Sequence, residues 1–369
     1  MEVAKCNSFR TKKLYHEDNF ANMAQLNMVW PTAEEYSDDA YALSFLAEIL
    51  SQGKKAPLYK VLVKDKELTT RTRAYNRAME LAGMFRISIT ANPGKSLDEV
   101  QNAIFEAFEL LEKDSISETD LERVKAGLET GFYNQLQSVF NKAYQLASYN
   151  VFAGSPDYIE KDIERIRAVS IDDVWRVYNK YIKDKPFVVT SFVPKGQREL
   201  IVEGSEKAVV VEEAIGENVE TAAATDAAVE IEKTPSAFDR SVKPQEGTPP
   251  GLNLPETWMA TLENGIKVYG IENRELPLVE FSLVIDGGHR FDTPEKNGVA
   301  NLMTDIMMEG TASKTPEELE EEIDLLGSRI SMYTSDLNLN IRASSLSRNF
   351  GKTIDLVQEI LLEPRWDEE

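Results

Sequence analysis

The sequence predicts an α+β protein of two domains joined by an acidic linker, and three observations carry that prediction. The chain has 369 residues, enough for about two domains of roughly 150 residues, each with its own core. Its composition shifts sharply between residues 196 and 250. The segments on either side read as weak copies of one strand–helix–strand–helix pattern. Apolar content of 42% is ordinary for a folded protein. The 41 Lys+Arg against 63 Asp+Glu leave a formal charge of −22. That balance argues against a sequence-independent nucleic-acid binder, which needs clustered cations to displace counterions. It equally disfavours adhesion to anionic lipid. No apolar run reaches the roughly 18 residues of a membrane span. The opening MEVAKCNSFRTKKLY has basic residues but no apolar core, so no secretory signal is legible in it. The single cysteine, Cys6, allows neither an internal disulfide nor a thiolate metal cluster. The two histidines, His16 and His289, are too far apart to form any paired-histidine helix motif.

Before the linker, Met23 to Val29 is a strand candidate ending at Trp30–Pro31. Asp38 to Ser51 places Ala40, Leu43, Leu46, Ala47 and Leu50 at helical spacing, with two acids in its first turn and Gly53 after its end. Phe85 to Ala91 alternates apolar and polar residues, as a half-buried strand does. Ser96 caps the next helix, whose apolar face is Val100, Ile104, Phe108 and Leu111. A long helix starts at Glu118, another covers Ile171–Tyr181, and Phe187 to Val193 is an apolar strand. These elements make a first domain over residues 15–195.

Residues 196–250 form the linker. Glu203 to Glu232 is rich in Ala, Val, Thr and Glu without regular periodicity, and Pro235, Pro244, Pro249 and Pro250 oppose regular structure. Ile201–Val202 and Val209–Val211 could still add a short edge strand. The second domain, residues 251–369, opens with a hairpin turning at Asn264–Gly265. It continues with the strand VEFSLVIDGG, the helix NGVANLMTDIMMEG and the acidic helix TPEELEEEIDLLG. Two strands, Arg329–Thr334 and Leu337–Ala343, precede the helix FGKTIDLVQEILLE. In the first copy another long helix follows this point, whereas here the chain stops. That stop implies a segment excised from a longer protein, leaving Ile354, Val357, Ile360 and Leu361 uncovered.

The series LYHEDNFANMAQLNMVWPT, PLYKVL and SETDLERVKAGL resembles the second domain of a half-molecule in the pitrilysin/insulinase-type zinc peptidases. LENGIKVYGIENRELPLVEFSLVIDGG with NGVANLMTDIMMEGT resembles the opening of that family's next half. The resemblance implies domains built from a mostly antiparallel sheet packed with helices, and a peptide-degrading chamber enclosed between two halves. It makes this chain the middle: domain two of half one, the linker, and a truncated domain one of half two.

The family's H-x-x-E-H motif holds Zn²⁺ through its histidines, and its Glu activates the metal-bound water. The resemblance carries that motif onto Asn301, Thr304 and Asp305. Asn and Thr are poor zinc ligands, and Thr is no general base near pH 7. One carboxylate does not make the usual three protein ligands. The family's substrate-fixing Arg–Tyr pair falls on Val63 and Thr70, which offer neither a guanidinium nor a phenol. The expectation is therefore no catalytic, metal or cofactor site in this chain, with zinc belonging to the parent enzyme.

Other features read as structural. His289 belongs to a surface loop and His16 to a solvated strand entry. The acids Glu317, Glu318, Glu320, Glu321, Glu322 and Asp324 make a wet helix face without a calcium-loop spacing. Met303, Met307 and Met308 are core filler. The expected function is the non-catalytic central region of a zinc metalloendopeptidase, partnered by the parent's remaining domains and its peptide substrate, with no nucleic acid and no membrane span. Two readings from other classes stand beside it: a protease-derived structural scaffold, and an extracytoplasmic module that holds extended peptide without cutting it. A periplasmic or extracytoplasmic location is what the similarity to bacterial family members suggests.

Overall fold

The computed structural model describes residues 10–209, 239, 242–243, 247, 251 and 254–367. Two units divide the chain: Met1–Ala208 with Glu275–Glu369 form one, and Val209–Arg274 the other. The linker prolines and most of the alanine-rich stretch lie outside the described residues.

The first part of the larger unit runs β1 (Lys12–Asp18), β2 (Gln25–Thr32), α1 (Asp38–Ser51), a π-helical segment (Tyr59–Asp65), β3 (Ala74–Arg77), β4 (Gly83–Thr90), α2 (Leu97–Asp114), α3 (Glu118–Gln135), α4 (Val139–Ser148), α5 (Ile159–Ala168), α6 (Ile171–Val177), β5 (Val188–Pro194) and β6 (Glu206–Lys207). Its strands form one mixed sheet in the order β3-β4-β2-β5-β1-β6. On the face packed against the helices, Leu26, Met28 and Trp30 of β2 stand opposite Ile89, Ile87 and Phe85 of β4. All six are buried, so the period-2 pattern of the sequence becomes one continuous apolar stripe. β2 continues past the expected stop at Pro31. β5 accompanies β2 only as far as Val29, leaving β4 alone beside the proline. Beneath the sheet α1 is buried on nearly every side, from Ala42 and Leu43 to Ile49 and Leu50, because α3, α5 and α6 all pack on it.

Residues 196–208, placed in the linker by composition, pack with this domain. Val202 is fully buried and its N–H donates to Ser191 Oγ at 3.1 Å. Glu206–Lys207 then pairs in parallel with β1. β1 itself escapes the sequence reading as a strand, because its partner β5 lies far along the chain and pairs with it in parallel.

The smaller unit contains a hairpin of β7 (Thr257–Thr261) and β8 (Lys267–Ile271). Gly265 takes φ +87° at the turn and Asn264 Oδ1 accepts from the N–H of Ile266 at 3.2 Å, the turn chemistry read from Asn-Gly. Across the hairpin, Gly270 leaves room for the Trp258 ring, which lies 2.1 Å from where a Cβ would be.

The larger unit resumes with β9 (Leu278–Asp286), α7 (Val299–Met307), α8 (Pro316–Leu325), β10 (Arg329–Thr334), β11 (Asn338–Leu346) and α9 (Phe350–Leu362). The sheet is antiparallel with order β10-β11-β9. This repeats β3-β4-β2 strand for strand, with a helix after the first strand and another after the last. The internal repeat is therefore topological as well as sequential. Ile341 and Ala343 of β11 stand opposite Leu283 and Phe281 of β9 and pack with Met307, Leu319, Val357 and Ile360.

Two expectations change here. Val357 and Ile360 are 4% and 1% exposed, so the main stripe of α9 is covered by this domain's own sheet. Exposed apolar residues lie on α7, where Val299 and Leu302 are 48% and 58% exposed, and at the last position of α9, Leu362, whereas the corresponding α1 is wrapped by three helices.

The two parts of the larger unit meet through α3, which packs on α8 and β9. Gly327, at φ +58°, abuts α3 so closely that a Cβ would lie 2.5 Å from Thr130 Oγ1 and 2.7 Å from the Ala126 carbonyl oxygen. Thr130 Oγ1 donates to the Gly327 carbonyl at 2.9 Å.

Candidate functional site

The segment leading into α7 is set by a chain of local bonds. Gly288, at φ +86°, leaves no space for a side chain, since a Cβ would meet the Ser335 carbonyl oxygen at 2.2 Å. The chain then turns so that Asp292 caps α7, its carboxylate accepting from the N–H groups of Gly298 at 2.9 Å and Ala300 at 3.1 Å. His289 Nδ1 lies 3.2 Å from the same carboxylate. The Gly298 N–H, joined by His289 and the Ala300 N–H, holds the Asp292 carboxyl below its ordinary range. His289 is therefore a brace for a helix cap rather than a free loop side chain.

On α7 the three motif positions separate. Asn301 and Asp305 are exposed on one side. Thr304 is 2% exposed and donates its hydroxyl to the Asn301 carbonyl at 2.7 Å. The packed face of α7 carries Thr304 and Met307, while Val299 and Leu302 are exposed. An amide, a hydroxyl turned into its own helix and one carboxylate do not fit a zinc ion. No group of three or more His, Cys, Asp or Glu among the described residues could hold a metal.

Val63 is half-buried in the π-helical segment and Thr70 is exposed beyond it. No hydrogen bond or ion pair joins either to the α7 positions. The buried hydroxyl nearby is that of Thr69, which donates to the Thr90 carbonyl at 2.8 Å. His16 stacks on Phe192 with ring centroids 5.5 Å apart. Its acidic neighbours are occupied: Asp18 accepts from the N–H groups of Phe20 and Ala21, and Glu17 from that of Gly196.

The acidic face of α8 is not simply wet. Glu317 pairs with Lys64 at 2.6 Å and Glu321 with Lys55 at 2.5 Å, while Glu320 accepts from the backbone N–H of Lys54 at 2.7 Å. Behind them is a cleft lined by Glu48, Arg123, Thr130, Asp324 and Gly327. Burial pushes the Asp324 carboxyl up to about 6, opposed by Arg123 and reinforced by Glu320. Burial likewise raises Glu48. A second charged knot ties the halves: Glu129 on α3, 5% exposed, accepts from Arg167 at 2.5 Å and from Arg348 at 2.7 Å. Sequence reasoning missed both. Their members lie up to 266 positions apart, and a single charged residue on a helix carries no local sign of its partner.

Residues 4–128 match the family description "Peptidase M16 inactive domain", and residues 268–369 match "Insulinase (Peptidase family M16)". Together these matches take in more than half of the chain. The chain belongs to the M16 peptidase family. Among curated relatives of this M16 chain is a probable mitochondrial-processing peptidase subunit beta of Arabidopsis thaliana. It is 32% identical over 118 residues, covering 32% of this chain and 22% of the relative. The mitochondrial-processing peptidase subunit beta of Mus musculus is 32% identical over 110 residues, covering 30% and 22%. The matched part of the M16 chain thus spans about a fifth of these relatives' length. Among solved structures, a protease from Helicobacter pylori aligns with a TM-score of 0.45 at 21% identity, covering 49% of this chain and 44% of that one. Among the described residues no helix is long and apolar enough to cross a membrane.

Proposed function

We propose that this M16 chain is the non-catalytic central region of a zinc metalloendopeptidase and contributes wall to the chamber that encloses the peptide. One observation carries the reading. At the place where the family would write H-x-x-E-H, α7 presents exposed Asn301 and Asp305 around a buried Thr304. The order of the two family matches, inactive domain first and insulinase domain second, supports placing the chain across the junction of two halves. Val63 and Thr70, at the positions of the substrate-fixing pair, have no group that would hold a scissile carbonyl. Zinc and the nucleophilic water would then come from the parent's remaining domains, and the peptide would be the parent's substrate.

Elemental analysis after dialysis should find less than about 0.1 zinc per chain, and the chain alone should leave an unstructured reporter peptide intact. One firmly held zinc per chain, or chelator-sensitive cleavage, would overturn the proposal. The triple change Asn301→His, Thr304→Glu and Asp305→His should still give no activity. It should also lower stability by about 2–4 kcal/mol, because the new carboxylate enters a buried position.

A further inference from the structure

A cavity of about 420 Å³ opens on the first domain beside α4, within the size range of small-molecule sites. Glu35 and Tyr36 reach it from the loop between β2 and α1, and Tyr41 from α1 itself. Tyr144 comes from α4, Phe152 from the π-helical turn after it, and Asp162 from α5. The rings are accessible. Tyr144 and Phe152 are 67% and 40% exposed, while Tyr36 and Tyr41 are half-buried. Tyr36 takes φ +59°, a conformation rare for a bulky side chain. Its ring is fixed from behind by Tyr149 and Tyr158, with centroids 5.6 and 5.2 Å away.

The floor of the cavity is negative, and its charge is only partly answered. Asp162 is 8% exposed, and its carboxylate accepts from the hydroxyls of Tyr41 and Tyr149, the latter at 2.6 Å. Neutral donors leave that charge in place. Glu35 is half-buried, and among the described residues its side chain has no hydrogen-bond or ion-pair partner. Burial and the charge of Asp162 push its carboxyl up. Arg165 stands over Tyr41 and Tyr158, 5.8 and 5.9 Å from the ring centroids, so rings of this cluster already take a cation on their faces. That guanidinium is engaged by the Tyr36 carbonyl and by Asp38, and it does not line the cavity. A quaternary ammonium asks for no hydrogen bonds. It is held by ring faces and by nearby negative charge, which are what this cavity offers.

We propose that this cavity binds a small quaternary ammonium compound of the choline type, its methyl groups against Tyr36, Tyr41, Tyr144 and Phe152 and its charge facing Glu35 and Asp162. The site shares no residue with the α7 positions and stands whether or not the chamber reading holds.

The test is a titration of the whole chain with choline and with dimethylbutanol, its uncharged carbon analogue, followed by the methyl proton resonances of each compound. Choline methyl protons should move upfield, as protons held over ring faces do, and saturably, with half-saturation below about 5 mM. Dimethylbutanol has the same shape without the charge and should bind at least about fivefold more weakly. Tyr144→Leu keeps apolar bulk at an exposed position but removes the ring, and Glu35→Gln keeps the shape but removes the charge. Each should weaken choline by at least about threefold. Phosphatidylcholine vesicles, which present the same headgroup on a surface, should not retain the chain in sedimentation. Equal binding of the two compounds, no saturation by about 20 mM choline, wild-type affinity in either variant, or retention on the vesicles would overturn the proposal.

Discussion

Asp324 is held where charge is unwelcome, and the consequence is a specific pH dependence. Its carboxyl is raised by burial to about 6, with Arg123 3.7 Å away offsetting only part of that penalty. A carboxyl raised in the folded state binds its proton more tightly there than in the unfolded chain. Its contribution to stability is therefore present below the unfolded value near 4, and is lost as pH rises from about 4 through about 6. With 30% of the side chain still in water, the loss is about 1–2 kcal/mol. Asp324→Asn should flatten the stability difference between pH 4 and pH 7, measured as denaturant midpoints. A variant that kept the wild-type slope would show that some other group titrates there. Glu359 works in the opposite direction. Thr311, Ser313 and Lys314 donate to its carboxylate at 2.6, 2.5 and 2.6 Å, and these bonds outweigh burial to hold it down at about 2. Its stabilisation is present above the unfolded value near 4.5 and is lost as pH falls toward 2. Glu359→Gln should thus cost about 1–3 kcal/mol at pH 7 and almost nothing at the acid end. An equal cost at both pH values would count against an ionic role.

Among the elements, those that announce themselves do so by local chemistry. Ser96 with Glu99, Ser170 with Asp173 and Thr315 with Glu318 form capping boxes, and α1 begins and ends where its acids and its apolar spacing put it. The Asn-Gly hairpin and the alternating β4 are equally local. β1 is not, because its pairing comes from a parallel partner that sequence spacing cannot name. Nor is the orientation of α7, where an apolar stripe alone does not say which neighbours cover it. The residue types at Asn301, Thr304 and Asp305 could be read from the sequence, whereas the burial of Thr304 and the role of His289 needed the fold. The α3–α8 contact is likewise invisible in sequence, and Gly327 is its most sensitive point. Gly327→Ala places a methyl within 2.5–2.7 Å of Thr130 and Ala126 atoms at a positive φ. The variant should lose about 2–4 kcal/mol in thermal unfolding. Retention of wild-type stability would mean that α8 can shift off α3 at little cost.

At the scale of the whole molecule, the question is whether the two parts of the larger unit are held by the chain between them or by their shared surface. The linker's prolines, acids and lack of periodicity make residues 209–250 the expected first site of proteolytic nicking, beyond the paired β6. Cutting there removes the covalent tie and leaves the interface alone. That interface combines the close approach of Gly327 to α3, the Glu129 knot with Arg167 and Arg348, and the lysine–glutamate pairs along α8. The exposed pairs contribute little singly. Glu129 is different, because a carboxylate buried between two arginines is costly to separate from either one. The nicked protein should therefore run as one species in size exclusion at about 0.1 M salt. At about 1 M salt, where screening shortens to roughly 3 Å, the exposed pairs weaken and the fragments should begin to part. Arg348→Ala, which leaves Glu129 with Arg167 alone, should part them already at the lower salt. Fragments that separate at once from the unmutated nicked protein would show that the linker does the holding, and that the α3–α8 surface is a contact of convenience.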